Sequence, residues 1–151
     1  MTMRAVLFAF ALVVGLPSIG SAPASAQGLQ FFAVLLGGNE VNMTTGEADA
    51  GDKNGYGAAY VVLTESELCY AIVVHNIGNP TAAHIHAGRA GINGGIFIPL
   101  DPPASGDSGH ISDCIPATSN QRNQLRNKSN KFYINIHNNA FLNGALRGQL
   151  F

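Results

Sequence analysis

The sequence predicts an all-β domain over residues 27–151: an antiparallel Greek-key sandwich or barrel of about seven or eight strands, with one short helix near residues 118–128. Three observations predict it. Short runs rich in Val, Ile, Tyr and Phe recur along the chain, and each is cut off by Gly, Asn, Asp or Pro. Charged residues make up only 11% of the chain while glycine numbers 18 and tryptophan is absent, a composition of short strands and tight turns. Only one stretch carries the signals of a helix start.

The chain opens with Met1-Thr-Met-Arg4, an apolar run from Ala5 to Leu16, and small residues ending in Ala24-Ser25-Ala26. One positive charge, an apolar region too short to span a bilayer and an A-x-A site read as a secretion signal over residues 1–26. Cleavage between Ala26 and Gln27 is expected, giving a secreted or periplasmic protein without a transmembrane anchor. Gln27 rather than a cysteine stands directly after the cleavage point, so a lipid anchor is not expected there.

Gln30 to Leu36 is an apolar strand ended by Gly37-Gly38-Asn39. Asn42 to Asn54 is polar and reads as a loop; Asp49, Asp52 and Asn54 lack the spacing and the closing glutamate of a calcium loop. Tyr56 to Leu63 and Leu68 to His75 form a hairpin about Thr64-Glu65-Ser66-Glu67. Alternation sorts the second strand, with Leu68, Tyr70, Ile72 and Val74 on one face and Cys69, Ala71, Val73 and His75 on the other. Thr81 to Ala87, Ile96 to Leu100 and Ser108 to Ile115 are the next strands, the middle one stopped by Asp101-Pro102-Pro103. Thr118 to Lys128 is the helix, with Thr118 or Ser119 as its cap and Leu125 as its main apolar contact. Lys131 to His137 and Ala145 to Phe151 close the chain as two further strands.

Without the signal the chain keeps seven basic and nine acidic residues, since Arg4 is lost. That balance supplies no basic stripe for phosphates, so nucleic acid is not an expected partner. Cys69 and Cys114 both lie in the exported part, and an even pair in an oxidising compartment is most simply a disulfide closing a long loop. Metal ligation by the pair is the weaker alternative, because neither cysteine sits in a C-x-x-C or beside a histidine at ligand spacing.

His84 and His86 stand at i and i+2 in a strand, so both leave one face while Ala83, Ile85 and Ala87 leave the other. His137 shares the polar face of its own strand with Tyr133 and Asn135, opposite Phe132, Ile134 and Ile136. If the apolar faces form the core, the three imidazoles point outward together. Two histidines in an H-x-H strand lie roughly 7 Å apart at Cβ, a reach that suits two ligands on one ion when a third arrives from a neighbouring strand. Neutral imidazole favours copper, zinc or nickel, and copper or zinc is the expected cofactor if this site binds metal. The competing reading is a polar network that serves the fold alone. His110 joins the set only if folding brings it near, and His75 is expected at the surface. Arg147 points away from Leu146 and Leu150, and Glu40 is its candidate partner in an ion pair pinning the first and last strands.

Five motifs in order, Leu-Gly-Gly-Asn-Glu-Val (36–41), Ala-Ala-His-Ile-His-Ala-Gly (82–88), Ala-Gly-Ile-Asn-Gly-Gly (90–95), Tyr-Ile-Asn-Ile-His (133–137) and Gly-Ala-Leu-Arg-Gly-Gln-Leu (144–150), resemble the CHRD (chordin-type) domain family. Asn42 stands where proline commonly follows the Glu-Val pair, and Asn138 where threonine commonly follows the last histidine. The resemblance implies an extracytoplasmic domain and brings no established enzymatic activity. A fainter similarity is to copper/zinc superoxide dismutases, which would make His84, His86 and His137 copper ligands. The stretch after His86 lacks the histidines and aspartate that hold zinc in those enzymes.

No serine-histidine-acid or cysteine-histidine arrangement is visible, so a non-catalytic module is expected. Its partner would be a protein, a glycan or a metal ion.

Overall fold

A computed structural model describes residues 28–151; the expected signal and its cleavage point at Ala26/Gln27 lie outside the described residues. Among the described residues eight strands form: β1 (Leu29–Leu36), β2 (Tyr56–Leu63), β3 (Glu67–His75), β4 (Pro80–Ala87), β5 (Ile96–Leu100), β6 (Gly109–Pro116), β7 (Phe132–Asn138) and β8 (Leu146–Gln149). One helix, α1 (Ser119–Lys128), stands between β6 and β7. The expected segments and the observed ones differ by one or two residues at most ends, where capping and pairing rather than composition decide.

All strand pairs are antiparallel, and they build one continuous sheet in the order β5-β4-β7-β8-β1-β2-β3-β6. The sheet curls into a half-barrel, so its inner face encloses the core. Period-two alternation sets which residues go there. On β1 the inward residues are Phe31, Ala33 and Leu35, while Phe32, Val34 and Leu36 face out. On β3 they are Leu68, Tyr70, Ile72 and Val74, as the sequence pattern requires.

The end strands β5 and β6 are not paired with each other. Side chains bridge the interval instead: the Tyr70 hydroxyl accepts from the Asp101 N–H at 3.0 Å, and Gln121 Nε2 donates to the Phe97 carbonyl at 3.4 Å. Leu125, the one buried residue of α1, joins the core. The helix starts where a reciprocal cap holds it, Thr118 Oγ1 accepting from the Gln121 N–H while Thr118 N–H donates to Gln121 Oε1. Cys69 and Cys114 face each other across the β3–β6 ladder and are joined as a disulfide. That bond fastens an edge strand to the sheet.

The outer face divides in two. Over β1, β2 and β3 it is bare and apolar, exposing Phe32, Val34, Tyr60 and Val73. Over β4, β7 and β8 it is polar, and loop residues from Asn93, Gly94 and Leu142 bond to it.

Candidate metal centre

His84 and His86 leave β4 on its outer side because Ala83 and Ile85, fully buried, occupy the inner one. β7 lies alongside, with His84 opposite Asn135, His86 opposite Tyr133 and Ala82 opposite His137. His137 therefore sits diagonally from His84, and an irregularity between Pro80 and Ala82 ends the regular ladder there. The ring centroids are 5.4 Å apart for His84 and His86, 5.0 Å for His84 and His137 and 6.0 Å for His86 and His137. One nitrogen from each ring lies within 4.8 Å of the others. The three sequence-predicted ligands are thus brought together, and the cluster contains no Asp, Glu or Cys.

Backbone carbonyls settle which nitrogens are free. His86 Nδ1 lies 2.9 Å from the Gly94 carbonyl and His137 Nδ1 lies 3.0 Å from the Leu142 carbonyl. A carbonyl only accepts, so each Nδ1 carries a proton, and in the neutral form of such a ring Nε2 is the nitrogen with the lone pair. His86 Nε2 is buried without any hydrogen-bond partner. His137 Nε2 faces His84 Nδ1 at 3.2 Å. Fixing the far ring nitrogen on a carbonyl is the support that metal-binding imidazoles use, since it sets both ring orientation and tautomer.

Burial holds the His84 imidazole down to about 4, helped by the neighbouring His137 and His86 rings. Burial also lowers His86, opposed by its bond to Gly94. Neutral rings at pH 7 are the form that binds metal.

His75 and His110 stand apart from the cluster. His110 lies on edge strand β6 opposite Val73. His75 ends β3, stacked on Tyr56 with Nδ1 3.2 Å from the Ser108 hydroxyl.

Behind the cluster lies a buried polar layer. Tyr133 stacks on His86 with ring planes 8° apart, and the Arg147 guanidinium lies 3.5 Å from the centre of the Tyr133 ring. Arg147 and Glu40 are both almost completely buried and lie within ion-pair distance at 4.0 Å, too far apart for a direct hydrogen bond. Other partners take the donors and acceptors. Arg147 donates to Asn93 Oδ1 at 3.0 Å, to the Arg89 carbonyl at 2.9 Å and to the Ile92 carbonyl at 2.7 Å. Glu40 accepts from the Val41 N–H at 3.0 Å and from Asn135 Nδ2 at 2.8 Å. Burial raises the Glu40 carboxyl and lowers the Arg147 guanidinium, each partly countered by the other's charge. The last strand meets the first through the backbone of Arg147, which lies opposite Leu36 and whose carbonyl accepts from Asn39 Nδ2.

Asn93, Gly94 and Leu142 escaped the sequence reading as parts of the site. Two of them act through backbone carbonyls, which leave no trace in residue type. Tyr133 and Asn135 did leave one, as they share the His137 face of β7.

A curled antiparallel sheet with three converging imidazoles on its outer layer defines a small β domain whose histidine cluster lies outside its core. The chain belongs to the CHRD domain family, whose model matches residues 31–150. Neither a curated protein nor a solved structure matches the chain.

Proposed function

We propose that this CHRD domain is an exported, non-catalytic binding module, and that the imidazoles of His84, His86 and His137 hold one copper or zinc ion. The observation that carries the reading is the convergence of three imidazoles, one nitrogen from each within 4.8 Å of the others, at a ring whose Nε2 is buried without a hydrogen-bond partner while its Nδ1 is spent on a carbonyl. A buried lone pair left without a partner costs about 1–3 kcal/mol, and an ion at the cluster removes that cost. Three imidazole nitrogens suit copper and zinc, and they leave a coordination position for water or a small ligand. Export is supported by residues 1–26 and by the Cys69–Cys114 bond, a linkage that persists in oxidising compartments.

Metal analysis of the processed chain tests this. The expected result is stoichiometric copper or zinc, absent from a His84→Ala/His86→Ala double variant that still folds. A metal-free protein whose melting is unchanged by added copper and zinc ends the proposal.

A further inference from the structure

The cations of this chain are placed unevenly, and the fold makes the unevenness sharper. No Asp or Glu occurs from Cys114 to Phe151, while Arg122, Arg126, Lys128, Lys131 and Arg147 all fall there. Among the described residues only Lys53 and Arg147 have a carboxylate within ion-pair distance. The remaining five basic residues are unpaired in a domain that carries an excess of acid.

Three of the five come together around one opening. A pocket of about 350 Å³ lies between the end of β4 and the last turn of α1, lined by Arg89, Gln124, Lys128 and Lys131 over Gly88 and Phe132. No acidic side chain lines it. Its floor is fixed: the Gly88 N–H donates to the Lys131 carbonyl at 2.7 Å, and Gln149 Nε2 donates to the carbonyls of Gly88, Asn130 and Phe132. A lysine in the last turn of a helix is accounted for by the helix dipole. That explanation does not extend to Arg89, which comes from a different element and is carried to the same opening by the fold.

We infer that Arg89, Lys128 and Lys131 form a binding site for the carboxylate or sulfate groups of an anionic polysaccharide. The chemistry around the charges selects this class of polyanion. Helix α1 places Asn120, Gln124 and Lys128 along one side at a spacing of four, and Gln124 Nε2 already reaches Asn120 Oδ1 at 3.4 Å. Amides beside cations match a chain that carries hydroxyls as well as acidic groups. A single-stranded nucleic acid would call for exposed aromatic rings on which bases stack, and the one aromatic residue of the lining, Phe132, is buried. The site is separate from the histidine cluster and does not depend on metal.

Binding of the processed chain to heparin and to polygalacturonate, with dextran as the neutral control, tests the inference at about 0.15 M salt. Retention is expected on at least one of the two acidic glycans and none on dextran. Arg89→Glu and the Lys128→Glu/Lys131→Glu pair are each expected to weaken binding by about tenfold or more, one lost charge-assisted contact being worth that much. Arg126→Glu makes the same charge change on the same helix. It lies outside this pocket, in a cavity shared with Glu65 and Glu67, and is expected to stay within about twofold. Should the glutamate variants melt lower than the parent, Lys128→Gln/Lys131→Gln takes their place, with weakened glycan binding still expected. The inference is overturned if neither glycan binds, or if Arg126→Glu weakens binding as much as the pocket variants, which would mark diffuse charge. Inorganic sulfate displacing the glycan completely at millimolar concentration, or a DNA duplex binding more tightly, overturns the choice of polysaccharide.

Discussion

Gly144 shows how narrowly the polar layer is built. Its φ of 139° is a conformation that side-chain-bearing residues rarely adopt, and a Cβ there would collide with the Glu40 carboxylate and Asn135 Oδ1. Gly144→Ala must therefore strain the backbone and displace the one acid that the buried layer contains. We expect a loss of about 2–4 kcal/mol, read from the denaturation midpoint at unchanged m-value. A variant as stable as the parent would show that the Glu40 pocket yields freely. Arg147→Met removes more, since it deprives three oxygens of their donor and leaves Glu40 buried without a nearby cation. About 3–5 kcal/mol should be lost by the same measurement, and a neutral outcome would mean that packing on Tyr133 outweighs the charge. At this scale the sequence showed which side chains share a face but not which atoms meet. Alternation placed His84, His86 and His137 outward; only the β4–β7 register, set by contacts distant in sequence, brought the third ring against the first two.

Among the elements, β6 depends most on a single bond. It lies at the edge of the sheet with a partner on one side only, and Cys114 joins it to β3 directly opposite Cys69. The bridge closes a loop with a separation of 45 residues, for which chain-entropy arguments give a stabilisation of about 2–5 kcal/mol. Reduction should lower the melting temperature accordingly. Amide exchange should then quicken in β6 before it does in β7, which is paired on both sides. Equal protection of β6 in the reduced and oxidised protein would show that the ladder alone secures the edge. The helix was legible for the opposite reason: its start is a local matter, a Thr118 hydroxyl and a Gln121 side chain within one turn. Strand order was not legible beyond neighbours in sequence, because the β4–β7, β8–β1 and β3–β6 pairings join strands far apart in the chain, which no local pattern encodes. Composition and turn residues gave an all-β domain; they do not distinguish two facing sheets from one that curls.

Across the whole molecule, the histidine cluster couples stability to pH. In the unfolded chain the His84 ring takes a proton near its ordinary value of 6.5, whereas in the folded protein burial defers this to about 4. Between those two values the unfolded state binds more protons, so folding is disfavoured progressively as pH falls from 6.5 toward 4. His86, lowered for the same reason, acts in the same direction. Glu40 acts the other way: its folded carboxyl titrates above its usual value, so its contribution to stability is present below about 4.5 and fades as pH rises through the raised value. The melting temperature of the chelator-treated protein is expected to hold from pH 8 to 7 and to decline from just below 6.5. The decline should be shallower in His84→Gln, where the largest proton-linked contribution is gone. Copper or zinc acts on the same equilibrium from the opposite side, since an ion that binds the folded rings at a hundred times its dissociation constant adds about 2.7 kcal/mol. The added stability should be greatest above pH 7 and vanish near pH 5, as protons compete for the same lone pairs. A chelated protein whose melting is flat from pH 7 to 5 would mean that the rings are open to water in solution. The neutral, preformed ligand set on which metal binding depends would then not exist.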